Sequence, residues 1–278
     1  ALLAAFVDVV DDRAPAGPFA ESCLGQLGPA VLPAERELVA NTRRVVALTH
    51  GLGAAQRTAI QRCVRIMSEG MARFARRRSI GGLADVTEMN EYCYVVAGCV
   101  GEMLTDLFAA HSPGISRRHG ELFPMAQSFG QGLQMTNILK DSWEDRAAGA
   151  CWLPRSVFDA HGIDLSALPE GRDDPGFARG IRELIAIAHG HLATSMRYTN
   201  LLPKSETGIR DSCLWPIGLA MLTLRRINAN PHFRAGTEVK VSRRAVRGVI
   251  LTSRLLGRSS RGVSLAFGLA GRGLPAPA

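Results

Sequence analysis

FGQGLQMTNILKDSWEDRAAGACWLP, residues 129–154, is the stretch whose reading decides the fold. Wound as a helix at about 100° per residue, it brings Gln134, Asn137, Asp141 and Asp145 within roughly 80° of one another. Two carboxamides and two carboxylates then share one stripe, on a helix that also carries Leu133, Met135, Ile138 and Leu139. A solvated face is usually studded with Lys, Arg and Glu, whereas short Asn and Asp among apolar residues suit a polar-lined cavity inside a bundle. Spacing alone leaves a charged surface face equally open.

The rest of the chain limits what such a helix can belong to. Its 278 residues, 46% of them hydrophobic, suffice for a sizeable core. Aromatics are only 6%, which favours helices over sheet. No repeat period and no Gly/Ser linker divides the sequence, so one all-α domain over residues 1–278 is expected. A formal charge of +8 and a pI near 9.7 attract anions: nucleic acid, anionic lipid or a phosphorylated substrate. With no RNA-binding aromatic signature, no zinc-finger spacing and no basic run longer than Arg76-Arg77-Arg78, nucleic acid is the weakest of the three. Six scattered cysteines without a CxxC pair read as small buried apolar residues in a reducing compartment. There is no run of about 18 consecutive apolar residues and no secretory signal, so a cytoplasmic protein is expected.

Upstream, residues 1–12 (ALLAAFVDVVDD) place Asp8 and Asp12 four apart, hence on one helix face. Like charges so placed repel unless a cation neutralises them; taken alone, they read first as a frayed acidic helix end and second as a metal site. Helical spacing follows over 33–50 and 53–78, the second with an apolar stripe of Ile60, Cys63, Val64, Met67, Met71 and Phe74. Asp85 or Thr87 caps the next helix, which carries Ala97, Gly98 and Gly101 mid-helix, the mark of close approach by another helix or a ligand. Tyr92 and Tyr94, one turn earlier, are core aromatics or hydroxyls aimed into the same space. Downstream, 159–175 reads as a polar connection, and helices resume over 177–198 and 208–228, with Pro216 marking a kink or an early turn. His189 and His191 point to different faces and are poor joint metal ligands. Beyond Pro231 a basic amphipathic stretch reads as an outer helix or a membrane-surface element.

The two acidic motifs, Asp8-Val-Val-Asp-Asp12 and Asp141-Ser-Trp-Glu-Asp145, come with Tyr92-Cys-Tyr-Val-Val-Ala-Gly98, Gln134-Met-Thr-Asn137-Ile-Leu-Lys140, Trp152-Leu-Pro154, Cys213-Leu-Trp-Pro216 and Lys240-Val-Ser-Arg243. In this order and at these spacings the set resembles the squalene/phytoene synthase family, most like its bacterial squalene synthases, over nearly the whole chain. The resemblance implies an all-α isoprenoid synthase fold in which the two acidic motifs face each other across a central cavity. It implies that Asp8, Asp12, Asp141 and Asp145 hold Mg²⁺ ions that bridge to prenyl diphosphates. Gln134, Asn137 and Lys140 would contact substrate or diphosphate, Tyr92 would assist ionisation or proton transfer, and Gly98 would leave room for a prenyl chain. Lys240 and Arg243 would meet diphosphate or the phosphate of NADPH.

Two arginines of the family's eukaryotic members are replaced here by Ala5 and Ala150, so two phosphate contacts are expected to be missing. The chain opens without Met, inside a helical pattern, so upstream residues carrying the family's first helix are expected. The implied activity is Mg²⁺-dependent head-to-head condensation of two farnesyl diphosphates to squalene, with NADPH reducing the intermediate. The alternatives are a phytoene or dehydrosqualene synthase that needs no NADPH, and a non-catalytic helical scaffold. A lipid product and a basic chain also imply peripheral attachment to the inner face of a membrane.

Overall fold

A computed structural model describes residues 2–168 and 174–278. Among them the regular structure is helical, with one isolated parallel bridge between Leu83 and Pro154 and no strand. The expected all-α class holds. Contacts divide the chain into two compact units, Ala1–Ala75 and Arg76–Ala278.

The first unit contains α1 (Leu2–Val10), α2 (Ala16–Gln26), α3 (Pro33–Ala40), α4 (Thr42–His50) and nearly all of α5 (Ala54–Arg76). The single helix expected over 33–50 is two. Asn41 turns its amide onto the Glu37 carbonyl at 2.9 Å, and its own carbonyl accepts the Arg44 and Val45 amides that start α4. Such local side-chain bonding competes with helix continuation, and apolar spacing does not register it. In α5, Cys63 and Phe74 are buried as expected, but Met71 is 42% exposed while Ser68 and Gly70 take inward positions.

The second unit begins with α6 (Val86–Cys93), a π-helical turn (Tyr94–Gly98) and α7 (Cys99–His111). It continues through α8 (Pro113–Ser116), α9 (His119–Lys140), α10 (Ser142–Ala147), α11 (Arg155–Asp159) and α12 (Pro175–Leu201). It closes with α13 (Thr207–Ala229), α14 (Arg243–Leu256) and α15 (Ser260–Ala270). Asp85 caps α6, its carboxylate accepting the Glu88 amide at 2.9 Å. α9 buries residues on all sides, Leu122, Ala126, Met135, Ile138 and Leu139 among them, as befits a helix packed against several others, and it keeps the polar stripe of Gln134 and Asn137. α12 packs along it and buries Ile181, Leu184, Ile185, Ala188 and Leu192.

The mid-helix glycines are spent on helix packing. A Cβ at Gly130 would collide with the Ala97 carbonyl, and one at Gly101 with the Ala126 carbonyl. Gly98 lies against the Gln127 carbonyl and the Tyr94 ring. The space beside Gly98 expected for a prenyl chain is taken by the Tyr94 ring and the α9 backbone. The segment Val86–His111 that carries these glycines is long and apolar enough to cross a membrane, with a mean hydropathy of 1.4 and 28% of its window buried, and its glycine face lies against the α9 backbone.

Three further details hold the unit together. Arg210 is fully buried and donates to the carbonyls of Thr199, Leu202 and Gly257 at 2.6–2.8 Å, tying the ends of α12 and α14 to α13. Burial lowers its pKa. α13 runs through Pro216 without ending there. The connection over 159–175, of which 169–173 lie outside the described residues, is less polar in practice than its sequence suggests. Ile163 and Leu165 are buried, and Arg146 binds the carbonyls of Leu165, Ser166 and Leu168. All six cysteines are free, and five are buried.

Substituting Gly130→Ala should lower stability by about 1–3 kcal/mol, because two backbones must separate. Urea unfolding measures it, and an unchanged midpoint would mean that the crossing is not tight.

Candidate active site

α9 stops at Lys140, short of the continuous helix expected to carry Gln134 through Asp145. Asp141 adopts φ −98° and ψ 14°, and α10 starts after it. The stripe survives the break. The Asp141 amide still bonds the Asn137 carbonyl at 2.8 Å, and the Asp145 amide bonds the Asp141 carbonyl at 2.8 Å. Gln134, Asn137, Asp141 and Asp145 therefore line one cavity of about 370 Å³, together with Tyr92, Ile138, Lys140 and Trp152. The stripe lines an open polar pocket, with Asn137 exposed and Gln134, Asp141 and Asp145 half-buried.

The wall opposite α9 is set by the chain around Trp152. Leu83 donates to the Leu153 carbonyl at 2.9 Å and accepts from the Arg155 amide at 2.7 Å. That exchange requires Gly82, at φ 80°, whose Cβ would touch the Leu153 carbonyl. So anchored, Trp152 stacks on Tyr92 with ring centroids 4.2 Å apart and planes 7° apart. From sequence, Trp152 reads only as part of a helix stop. Its other signal, an aromatic in a chain poor in them, is too general to place it in a cavity.

The electrostatics of the cavity are those of crowded carboxylates. Burial raises the Asp145 pKa, the charges of Asp141 and Glu144 raise it further, and Arg78 acts in the opposite direction. Arg78 also bonds the Ala148 carbonyl, two residues before the position where Ala150 replaces an arginine. Lys140 pairs with Asp141 at 3.2 Å. Glu144 faces away, accepting the Gly236 amide at 2.7 Å. Gly236, unmarked in the sequence, presses on the break itself, since a Cβ there would meet the Lys140 carbonyl at 3.0 Å and Asp141 Oδ1 at 3.1 Å. Tyr92 is pushed up to about 12 by burial first, then by the charge of Asp145 and by Cys93. At neutral pH it remains a phenol, able to donate.

Among the described residues no group of three His, Cys, Asp or Glu converges to hold a metal by itself. The donors present are all hard oxygens: two carboxylates one turn apart and two carboxamides. That set suits partial ligation of Mg²⁺, which keeps waters and shares substrate phosphate oxygens. The repulsion felt by Asp145 is the kind that a bound cation relieves.

Other expected site residues lie elsewhere. Asp8 and Asp12 belong to the first unit, and the helix does not carry them on one face. α1 ends at Val10, whose carbonyl is held by Gln61 and His50 at 3.2 and 3.1 Å, and Asp12 turns to φ 60°. Asp8 pairs with Arg13 at 2.7 Å, Asp11 with Arg13 and Arg65 at 2.9 Å each, and Asp12 lies 3.6 Å from the His50 ring. Lys240 and Arg243 are exposed, at and just before the start of α14, and do not line the cavity. His189 and His191 diverge as expected: one meets the Pro275 carbonyl, the other Ser128 and Asn90.

A sequence model of the squalene/phytoene synthase family matches residues 1–245. The chain is 29% identical over 227 residues to the squalene synthase of Candida albicans, covering 80% of this chain and 50% of that protein. It is 34% identical over 120 residues to the presqualene diphosphate synthase of Zymomonas mobilis, covering 43% of this chain and 38% of that protein. The chain thus spans about half the length of the Candida relative. Among solved structures it resembles TcSQS in complex with the ligand E5700, at a TM-score of 0.67 and 22% identity, over 98% of this chain and 87% of that one. A dehydrosqualene synthase with bound ligand matches at a TM-score of 0.58 and 20% identity, over 93% and 86%. At these identities the structural likeness speaks for the fold.

A raised carboxyl pKa means that the folded protein holds this proton more tightly than the unfolded chain. Stability is therefore lost as pH rises from the unfolded carboxylate range through the raised value. At neutral pH, without Mg²⁺, Asp145→Asn should melt at a higher temperature than the wild type, and added Mg²⁺ should raise the wild-type melting temperature more than the variant's. A variant that melts lower would argue against the repulsion.

Proposed function

We propose, from the premise that this chain belongs to the squalene/phytoene synthase family of prenyltransferases, that it condenses two farnesyl diphosphates head to head, through presqualene diphosphate, to squalene. The supporting observation is the convergence of Tyr92, Gln134, Asn137, Lys140, Asp141 and Asp145 on one cavity. The family match over residues 1–245 supports treating both units as parts of one synthase domain.

In this reading Asp141 and Asp145 hold Mg²⁺ on one side, and Asp8 and Asp12 supply the second acidic motif. Bound Mg²⁺ neutralises charge on a diphosphate leaving group. Lys140, already beside Asp141, adds positive charge where the diphosphate departs. Gln134 and Asn137 orient diphosphate oxygens. Tyr92, a phenol at neutral pH, donates to an oxygen of the leaving group and is the candidate for proton transfer. The stacked Tyr92–Trp152 pair gives the cavity an aromatic wall whose ring faces stabilise an allylic cation.

A second reading, a phytoene or dehydrosqualene synthase without reduction, is favoured by one observation: Lys240 and Arg243, the residues expected to meet NADPH, stand outside the cavity lining.

Incubation with farnesyl or geranylgeranyl diphosphate and Mg²⁺, with and without NADPH, separates the readings by product mass. Squalene formed only with NADPH supports the first. A hydrocarbon unchanged by NADPH supports the second, and none from either substrate leaves the scaffold. Asp141→Asn should abolish turnover, and Tyr92→Phe should lower kcat by about 10²-fold or more while substrate binding persists. Full activity of Asp141→Asn would contradict its assigned role.

A further inference from the structure

The positive charge of this protein is not spread over it. Residues 239–278 hold eight Lys or Arg and no Asp or Glu. Because the whole chain has 33 basic and 25 acidic residues, the remaining 25 of each cancel, and the formal +8 belongs to these last residues. They form α14, α15 and their flanks.

The outward faces of these helices combine that charge with leucines. On α14 and just beyond, Arg247, Leu251, Arg254, Leu255 and Arg258 recur at three- and four-residue spacing, and all are exposed. On α15 and just beyond, Arg261, Leu265, Leu269 and Arg272 do the same. The leucines are 59%, 72%, 66% and 44% exposed along the chain. The fold does not need them inward. Val249, Leu256, Val263 and Phe267 already face Leu214 and Met221 of α13 around an apolar cavity of about 300 Å³. Nor is the pair loosely attached, since buried Arg210 holds the Gly257 carbonyl at the end of α14.

We propose that the outer faces of α14 and α15 dock on an anionic membrane surface. Arginine stems lie along apolar surface while their guanidinium groups reach the headgroup phosphates, and leucines between them enter the acyl boundary. A stripe made only for nucleic acid phosphates would gain nothing from four exposed leucines. The absence of any carboxylate from residue 239 onward removes the repulsion that an anionic bilayer would otherwise meet. The docking stands apart from the synthase reading, because vesicle binding is measured without turnover.

The test is sedimentation of the full chain with vesicles of phosphatidylcholine alone or phosphatidylcholine mixed with phosphatidylglycerol. Binding is expected on the anionic vesicles, weakening as salt rises. Replacing three arginines (R247Q/R254Q/R258Q) should reduce it by roughly a hundredfold. The exposed pair L251Q/L255Q should reduce it at unchanged charge and unchanged melting temperature, and decides the matter if the arginine variant fails to fold. Equal binding to neutral vesicles, or anionic binding that L251Q/L255Q leaves intact, overturns the proposal. So does duplex nucleic acid bound more tightly than the anionic vesicles.

Discussion

The second unit depends on the contact of two backbones where α9 crosses the π-turn and α7. Gly130 and Gly101 have no side chain because a carbonyl occupies the place of each Cβ, while Gly98 is closed in by the Tyr94 ring and, less tightly, by the Gln127 carbonyl. That crossing fixes the distance between Tyr92, which precedes the π-turn, and the Gln134–Asp141 stripe, which follows Gly130 on α9. A larger residue at Gly130 would push these walls apart, so the packing glycines act on the chemistry through geometry without touching substrate. The exchange of hydrogen bonds at Leu83 does the same for Trp152 from the other side.

What sequence could foresee follows from which interactions are periodic. Helix class and the cap at Asp85 are regular or local signals, and they stand as expected. The breaks are less legible because they arise from partners far away in sequence. Asp141 leaves helical geometry where the Gly236 backbone presses on the Lys140 carbonyl, nearly a hundred residues on. The π-turn inserts a residue into the register, so spacing counted from Tyr92 to Gly98 assigns faces that the helix does not present. Gly98 therefore carries the motif but faces α9. Asp12, four residues from Asp8, is likewise lost to the face once Gln61 and His50 hold the end of α1 at Val10.

The two acidic motifs also differ in how their charge is balanced. In the first, Arg13 and Arg65 pair with Asp8 and Asp11, while Asp12 projects at 82% side-chain exposure. A cation arriving there competes with Arg13 for Asp8. In the second, Lys140 holds Asp141, while burial first, and then the charges of Asp141 and Glu144, raise the pKa of Asp145. The second motif therefore gains more from a divalent ion than the first, because relief of existing strain adds to the new bonds while no ion pair of Asp145 has to be broken.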